Sequence, residues 1–270
     1  MISVKKTIII VVAVLLVAVG GVVGYLVFSK SNDDSRIYNE GDIIYYNPVS
    51  NEMDCSNYTE SNSQSENKTG CMKWYVIDGN GSDINLILDH NTTNKVAWNT
   101  SGSNTGGPVT VNAKLKSDVS SWSNEAKNSA RLITFEELKG MVSNYSSLSE
   151  QEFIDSYFIK AIESMNSANE NVKVSDYNTT KAHYQAQNDY MKKNYNDLIL
   201  PDYMFEDILP KCADDGNCPT YGYWTSSPSA VNQNNNQAWG VVYFGMVFSD
   251  DSGVSRSDLL GVRPVITLAK

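Results

Sequence analysis

The chain has 270 residues, 41% of them hydrophobic, and a formal net charge of −10. All 31 acidic residues lie beyond Lys30, together with 18 of the 21 basic ones, an acid excess that argues against nucleic acid or another polyanion as partner. With only His90 and His183, neither near a pair of the four cysteines, a zinc centre lacks its usual ligand set.

Residues 1–7 form a short tail carrying Lys5 and Lys6, and residues 8–28, IIIVVAVLLVAVGGVVGYLVF, are uncharged. At about 1.5 Å per residue that run spans roughly the 30 Å of a bilayer core, which predicts a transmembrane helix. The small-x-small site of a cleaved signal, Ala18-Val19-Gly20, falls inside the run, so the segment reads as an uncleaved anchor. The lysines before it, and Asp33 and Asp34 after it, place the tail in the cytoplasm and the bulk of the chain outside the cell membrane. Gly20 and Gly24 have the spacing that lets two helices approach, a route to a homodimer, although glycine is common in membrane helices in any case.

A polar tether, 29–40, leads to GDIIYYNP (41–48), a first strand stopped by Pro48. KWYVIDGNGSDINLILD (73–89) reads as a hairpin turning at Asp78-Gly79 and Gly81, and KVAW (95–98) as a third short strand. Over 110–122 the spacing of Ala113, Leu115, Val119 and Trp122 predicts a short helix. Two capping boxes follow, Thr134 with Glu137 and Ser149 with Glu152. The second opens an amphipathic helix through Phe153, Ile154, Tyr157, Phe158, Ala161, Ile162 and Met165. A weaker helical stretch, KAHYQAQNDYMKKNY, has Tyr184, Met191 and Tyr195 on its apolar side.

Beyond Cys218 the pattern returns to β in YGYWTSS, AWGVVYFGMVFS and GVRPVITL. Strands flanking a helical middle predict an α+β domain over 41–270 with a mostly antiparallel sheet. Cys55, Cys71, Cys212 and Cys218 all lie outside the membrane in this reading, where disulfides are the default. Three connectivities are possible, and the local one closes two polar loops. In SDDSGVSRSD the acids Asp250, Asp251 and Asp258 read as a solvated turn rather than a cation site.

Trp224-Thr225-Ser226-Ser227, Trp239-Gly240-Val241, Gly245 and Gly261-Val262-Arg263-Pro264-Val265-Ile266 form a pattern. With Trp74, LILDHNTT, Trp98 and Ala130-Arg131-Leu132-Ile133 upstream, it resembles bacterial surface proteins with a C-type-lectin-like domain related to formylglycine-generating enzymes. The resemblance implies that the first and last strands pair, 41–46 with 262–268, and that the loops before the last strands form a binding face. It also implies structural roles for Trp224, Trp239, Gly261, Arg263 and Pro264. The calcium-binding E-P-N, Q-P-D and W-N-D motifs of sugar-binding lectins do not occur, and Cys212 and Cys218 precede the Trp-rich segment rather than following it as in the oxidases.

On that face falls NQNNNQ, whose amides Asn232, Gln233, Asn234, Asn235, Asn236 and Gln237 donate and accept hydrogen bonds without charge. Composition alone makes it a solvated turn, and its placement in the fold makes it a candidate ligand loop. Most of the five tryptophans, which sit in predicted strands or at a helix end, are expected in the core. The chain has no G-x-S-x-G, H-E-x-x-H or G-x-x-x-x-G-K-[ST] motif, and nothing points to a cofactor or a metal. These readings favour a non-catalytic, membrane-anchored domain that binds a neutral polar ligand, a glycan or a peptide. The alternatives are a structural, envelope-organising protein and, behind it, a hydrolase.

Overall fold

Alternation of apolar and polar residues builds the first sheet. In β1 (Ile43–Asn47), Ile44 and Tyr46 point into the core while Ile43 and Tyr45 face out. A tight turn joins it to β2 (Glu52–Met53), with the Asn47 side chain accepting from the N–H of Val49 at 3.0 Å. The predicted hairpin is β3 (Met72–Asp78) and β4 (Asp83–Leu88), paired antiparallel with Trp74 opposite Leu88. The computed structural model describes residues 36–141, 147–153, 222–230, 235–242, 246–249, 254–255 and 260–270. All the elements named here belong to one compact unit, Tyr38–Ala269.

Among the described residues, the α-helices lie between β4 and β6 in the chain: α1 (Val109–Asp118), α2 (Asn124–Ser129), α3 (Phe135–Met141) and the turn α4 (Glu150–Phe153). The short strand β5 (Arg131–Leu132) precedes α3. Both capping boxes form. Thr134 Oγ1 accepts from Glu137 N at 3.1 Å while the Glu137 carboxylate takes the Thr134 N–H at 2.8 Å, and Ser149 with Glu152 repeats the exchange at 3.3 and 2.8 Å. Helix α1 ends earlier than its apolar spacing predicts. Leu115 and Val119 are buried as expected and Trp122 packs from the turn beyond, but Ala113 is exposed, because the inward face runs through Val111, Leu115 and Asp118 and Ala113 lies on the opposite side.

The late strands are β6 (Gly222–Pro228), β7 (Ala238–Val242), β8 (Met246–Ser249), β9 (Leu260–Gly261) and β10 (Pro264–Ala269). AWGVVYFGMVFS, continuous in the sequence pattern, is two antiparallel strands, β7 and β8. One sheet has the order β2-β1-β3-β4-β10-β5 and is antiparallel throughout. The other has the order β8-β7-β6-β9, with only the β6–β9 pair parallel. The α+β class with a mostly antiparallel sheet is thus as the sequence predicts. The predicted pairing of first and last strands is not: β10 pairs with β4 and β5, and the β3–β4 hairpin stands between it and β1.

KVAW is not a strand either. Thr93 makes a single bridge to Val262, Val96 N donates to Leu260 O at 2.9 Å, and Val111 N donates to Trp98 O at 3.2 Å. Val96, Ala97 and Trp98 are all buried, so this passage is enclosed on both sides and satisfies its backbone on several elements rather than one neighbour. One apolar cluster serves both sheets, joining Ile44, Trp74 and Leu86 to Trp98, Trp224 and Ile266.

Cys55 and Cys71 form a disulfide that closes the loop in front of β3. The N-terminal segment 8–28 with Gly20 and Gly24, the stretch 154–221 with Cys212 and Cys218, and Asp250, Asp251 and Asp258 lie outside the described residues. Among those described, no helix is long and apolar enough to cross a membrane.

GVRPVITL, read as one strand, changes sheets instead. Gly261 ends β9 against β6, and β10 begins at Pro264 against β5. At Gly261 a Cβ would stand 2.3 Å from Thr93 O and 2.5 Å from Asn91 Nδ2. Gly261→Ala should therefore cost about 2 kcal/mol, or roughly 4–8 °C in Tm by thermal melting, as overpacking a filled site does.

Candidate functional site

Two stretches without a charged residue, 96–113 and 224–249, supply the loops beside the Trp-bearing strands. Hydrogen bonds stitch them together. Asn104 N donates to Asn235 O at 2.7 Å, and its amide Nδ2 donates to Ser229 O at 3.0 Å and to Gln237 O at 2.8 Å. Val254 N donates to Asn236 O at 2.8 Å, and Ser229 N donates to Gln237 O at 3.0 Å. Three successive carbonyls of the amide loop, those of Asn235, Asn236 and Gln237, are thus turned into the protein. Asn235 adopts the left-handed region (φ 51°), which asparagine tolerates better than most residues.

The outcome for the candidate ligand loop is divided. The Asn235 side chain is exposed, Asn236 is half-buried and Gln237 is buried, while Asn232, Gln233 and Asn234 lie outside the described residues. The buried Asn236 Oδ1 finds no hydrogen-bond partner among the described residues. Alongside stand the exposed Thr100, Ser101 and Thr105 and the half-buried Ser103 and Thr110. Asn99, itself buried, holds this second loop by donating to Gly107 O at 3.0 Å and accepting from Ser101 N at 3.0 Å. The arrangement is a neutral ridge of hydroxyls and amides on a pinned backbone.

Glu150 clamps the amide loop at both stems. Its Oε1 accepts the Ala230 N–H at 3.1 Å before the loop and the Trp239 indole N–H after it. The Trp239 ring stacks on Phe135 with centroids 4.0 Å apart, and Phe153 meets Phe135 edge-on at 5.2 Å. The Ser149–Glu152 box sets Glu150 on the first turn of α4, so a helix start legible in sequence positions a side chain whose partners are not.

The residues given structural roles by resemblance are all internal. Trp224 donates its indole N–H to Val96 O at 2.7 Å and Trp98 to Thr225 O at 2.8 Å, while Trp74 and Trp122 reach Tyr46 O and Lys68 O. All five tryptophans are buried, which leaves none to stack on a ligand. Arg263 is fully buried, with Nε donating to Leu88 O at 2.6 Å and the guanidinium 5.0 Å from the centroid of the Tyr223 ring. Burial pushes the Tyr223 phenol up, and the Arg263 cation pulls it back. Pro264 pairs with Leu132 at the start of β10.

Sequence reasoning passed over Asn99, Asn104 and Glu150. The charge-free run 96–113 signalled the first two, though not which asparagines turn inward. Among the described residues no group of three or more His, Cys, Asp or Glu side chains is placed to hold a metal ion. Compared with family models, curated proteins and solved structures, the chain matches none.

Removing the clamp leaves the part-buried Trp239 indole N–H without its acceptor and gives the exposed Ala230 N–H over to water. Glu150→Ala should cost about 1–3 kcal/mol and raise hydrogen exchange at the Ala230 amide and the Trp239 indole, measured by NMR. Glu150→Gln, which keeps one carbonyl oxygen, should fall between the variant and the native protein.

Proposed function

We propose that this chain is a membrane-anchored, extracytoplasmic binding domain of C-type-lectin-like type that takes a neutral polar ligand, a glycan or a peptide, on the ridge of Thr100, Ser101, Thr105 and Asn235. The carrying observation is that this ridge is uncharged in a protein with 31 acidic residues, and that its backbone is held by hydrogen bonds to neighbouring elements. Hydroxyls and amides pair with sugar hydroxyls or peptide groups as donor and acceptor alike. A loop already fixed loses little further conformational entropy on binding. With the tryptophans occupied in the core, affinity would rest on hydrogen bonds, many of them through water, and the expected binding is weak and selective rather than tight.

The anchor reading is supported by the uncharged run 8–28 and the lysines before it, and the exterior location is in keeping with the Cys55–Cys71 disulfide. The lectin-like reading is supported by the burial of Trp224, Trp239, Gly261 and Arg263, the residues that carry the resemblance. Among the described residues no constellation of side chains supports a catalytic reading.

The test is an array of neutral glycans and peptides probed with the full chain in detergent micelles. A ligand so found should bind at least about tenfold more weakly to a Thr100→Ala, Thr105→Ala, Asn235→Gly variant, a loss of about 1.4 kcal/mol or more. Glycine keeps the left-handed backbone at 235, so the loop path is preserved. Binding untouched by these changes refutes the ridge. Protease treatment of intact cells should digest the domain while leaving the N-terminal segment in the membrane, and protection of the domain refutes the exterior location.

A further inference from the structure

His90 is fully buried in a segment hydrogen-bonded on both sides to the sheet crossing: Leu88 O accepts from Arg263 Nε at 2.6 Å, and Thr92 N donates to Val262 O at 2.8 Å. The Arg263 guanidinium, anchored on the same segment, is near enough for its charge to act on the imidazole. On its other side lies the disulfide-closed loop 56–70, whose Asn67 carbonyl is 2.8 Å from His90 Nε2. A carbonyl only accepts, so Nε2 carries the proton and Nδ1 is the atom left to titrate.

The loop is held by polar contacts. Glu66 N donates to Asn91 O at 2.6 Å, Trp122 donates to Lys68 O at 2.7 Å, Lys68 pairs with Asp118 at 3.1 Å, and Ser65 bonds Asn94. No residue from 56 to 70 is itself buried, so the loop covers His90, Trp122 and Asp118 without sending a side chain of its own into the core. Segments with few buried apolar contacts open at less cost than the global unfolding free energy.

We propose that His90 is an acid-operated latch: protonation of its imidazole, buried within reach of the Arg263 charge, weakens the closed state so that the loop 56–70 swings open more often on its Cys55–Cys71 staple. The imidazolium still donates to Asn67, so the hydrogen bond itself survives titration. What fails is the burial of a second cation within reach of the first. Among the described residues, the other charged groups nearby have partners of their own. Asp118 is shared by Lys68 and Lys114, Asp89 pairs with Lys73 at 3.8 Å, and the exposed Glu66 takes the Asn94 N–H at 3.3 Å. Tyr223 lies against Arg263 and is held neutral by burial.

Burial pushes the imidazole down to about 4, with the Asn67 bond opposing and the Arg263 cation adding to the drop. A histidine depressed in the closed state favours closure above its ordinary value near 6.5, and that contribution is lost as pH falls from there toward 4. The loop should open about twentyfold more often at pH 5 than at pH 7.

The experiment is hydrogen exchange on the full chain in detergent micelles at pH 7 and pH 5, corrected for the intrinsic pH dependence of exchange. Residues 56–70 should lose protection by about twentyfold at pH 5 while 72–88 keep theirs. His90→Gln, which retains an N–H donor without a titrating ring, should abolish the pH effect. The latch is overturned if the loop stays protected at pH 5, if 72–88 open in step with it, or if the variant responds as the native chain does. Should the variant not fold, NMR titration of the native chain decides, because there are only two histidines to assign. A His90 that titrates at or above 6.5 overturns the latch, and one that titrates near 4 supports it.

Discussion

A strand that passes from one sheet to another carries its polar backbone and side chains through the middle of the protein, and the passage at Gly261–Val262–Arg263 governs everything around it. Gly261 ends the parallel pair with β6, Pro264 begins the antiparallel pairs with β4 and β5, and the two residues between lie in the core. A buried guanidinium is costly unless its donors are met. Arg263 places Nε on the end of β4, at Leu88 O, and Nη1 on β6, at the Tyr223 hydroxyl 3.3 Å away, with the Tyr223 ring beside the guanidinium. One side chain thereby couples the two sheets. The HNTT segment is drawn in on the same terms: Asn91 donates to Gly222 O at 2.9 Å, and Thr92 and Thr93 both donate to Asp118 at the end of α1.

What the sequence disclosed about this fold was local. Strand β1, the β3–β4 hairpin and both capping boxes rest on residues within a few positions of one another, and these formed as their patterns predict. The order of strands does not follow from such patterns. Nothing local in GDIIYYNP or GVRPVITL shows that a hairpin separates them, and a resemblance led to the wrong pairing. KVAW has the composition of a strand, but its backbone is met by Leu260 from far along the chain on one side and by Val111 of the following helix on the other. Ala113 faces out because the inward face of α1 runs through Val111, Leu115 and Asp118, the last an acid at home in the interior because Thr92, Thr93, Lys68 and Lys114 surround it. No helical periodicity foretells a buried carboxylate.

The candidate site divides in the same way. Its location was legible in the uncharged amide run between two tryptophan-bearing strands. The roles of the individual amides were not. Asparagines outside that run, Asn99 and Asn104, supply the side-chain bonds that hold the ridge, while the run itself contributes mainly its backbone carbonyls. An amide side chain facing inward and one facing solvent have the same one-letter code. Only the tertiary neighbours decide between them.

The place of β10 also orders events during synthesis. It lies between β4 and β5, and Thr267 bonds Asn85 across 182 residues of chain. Until that strand leaves the ribosome, β4 offers an apolar, unpaired edge, Ile84 to Leu88, of the kind that recruits other chains. Closing such distant contacts is slow compared with making hairpins. The growing polypeptide therefore carries that open edge until β10 arrives, and the topology leaves it exposed to pairing with other chains in the interval.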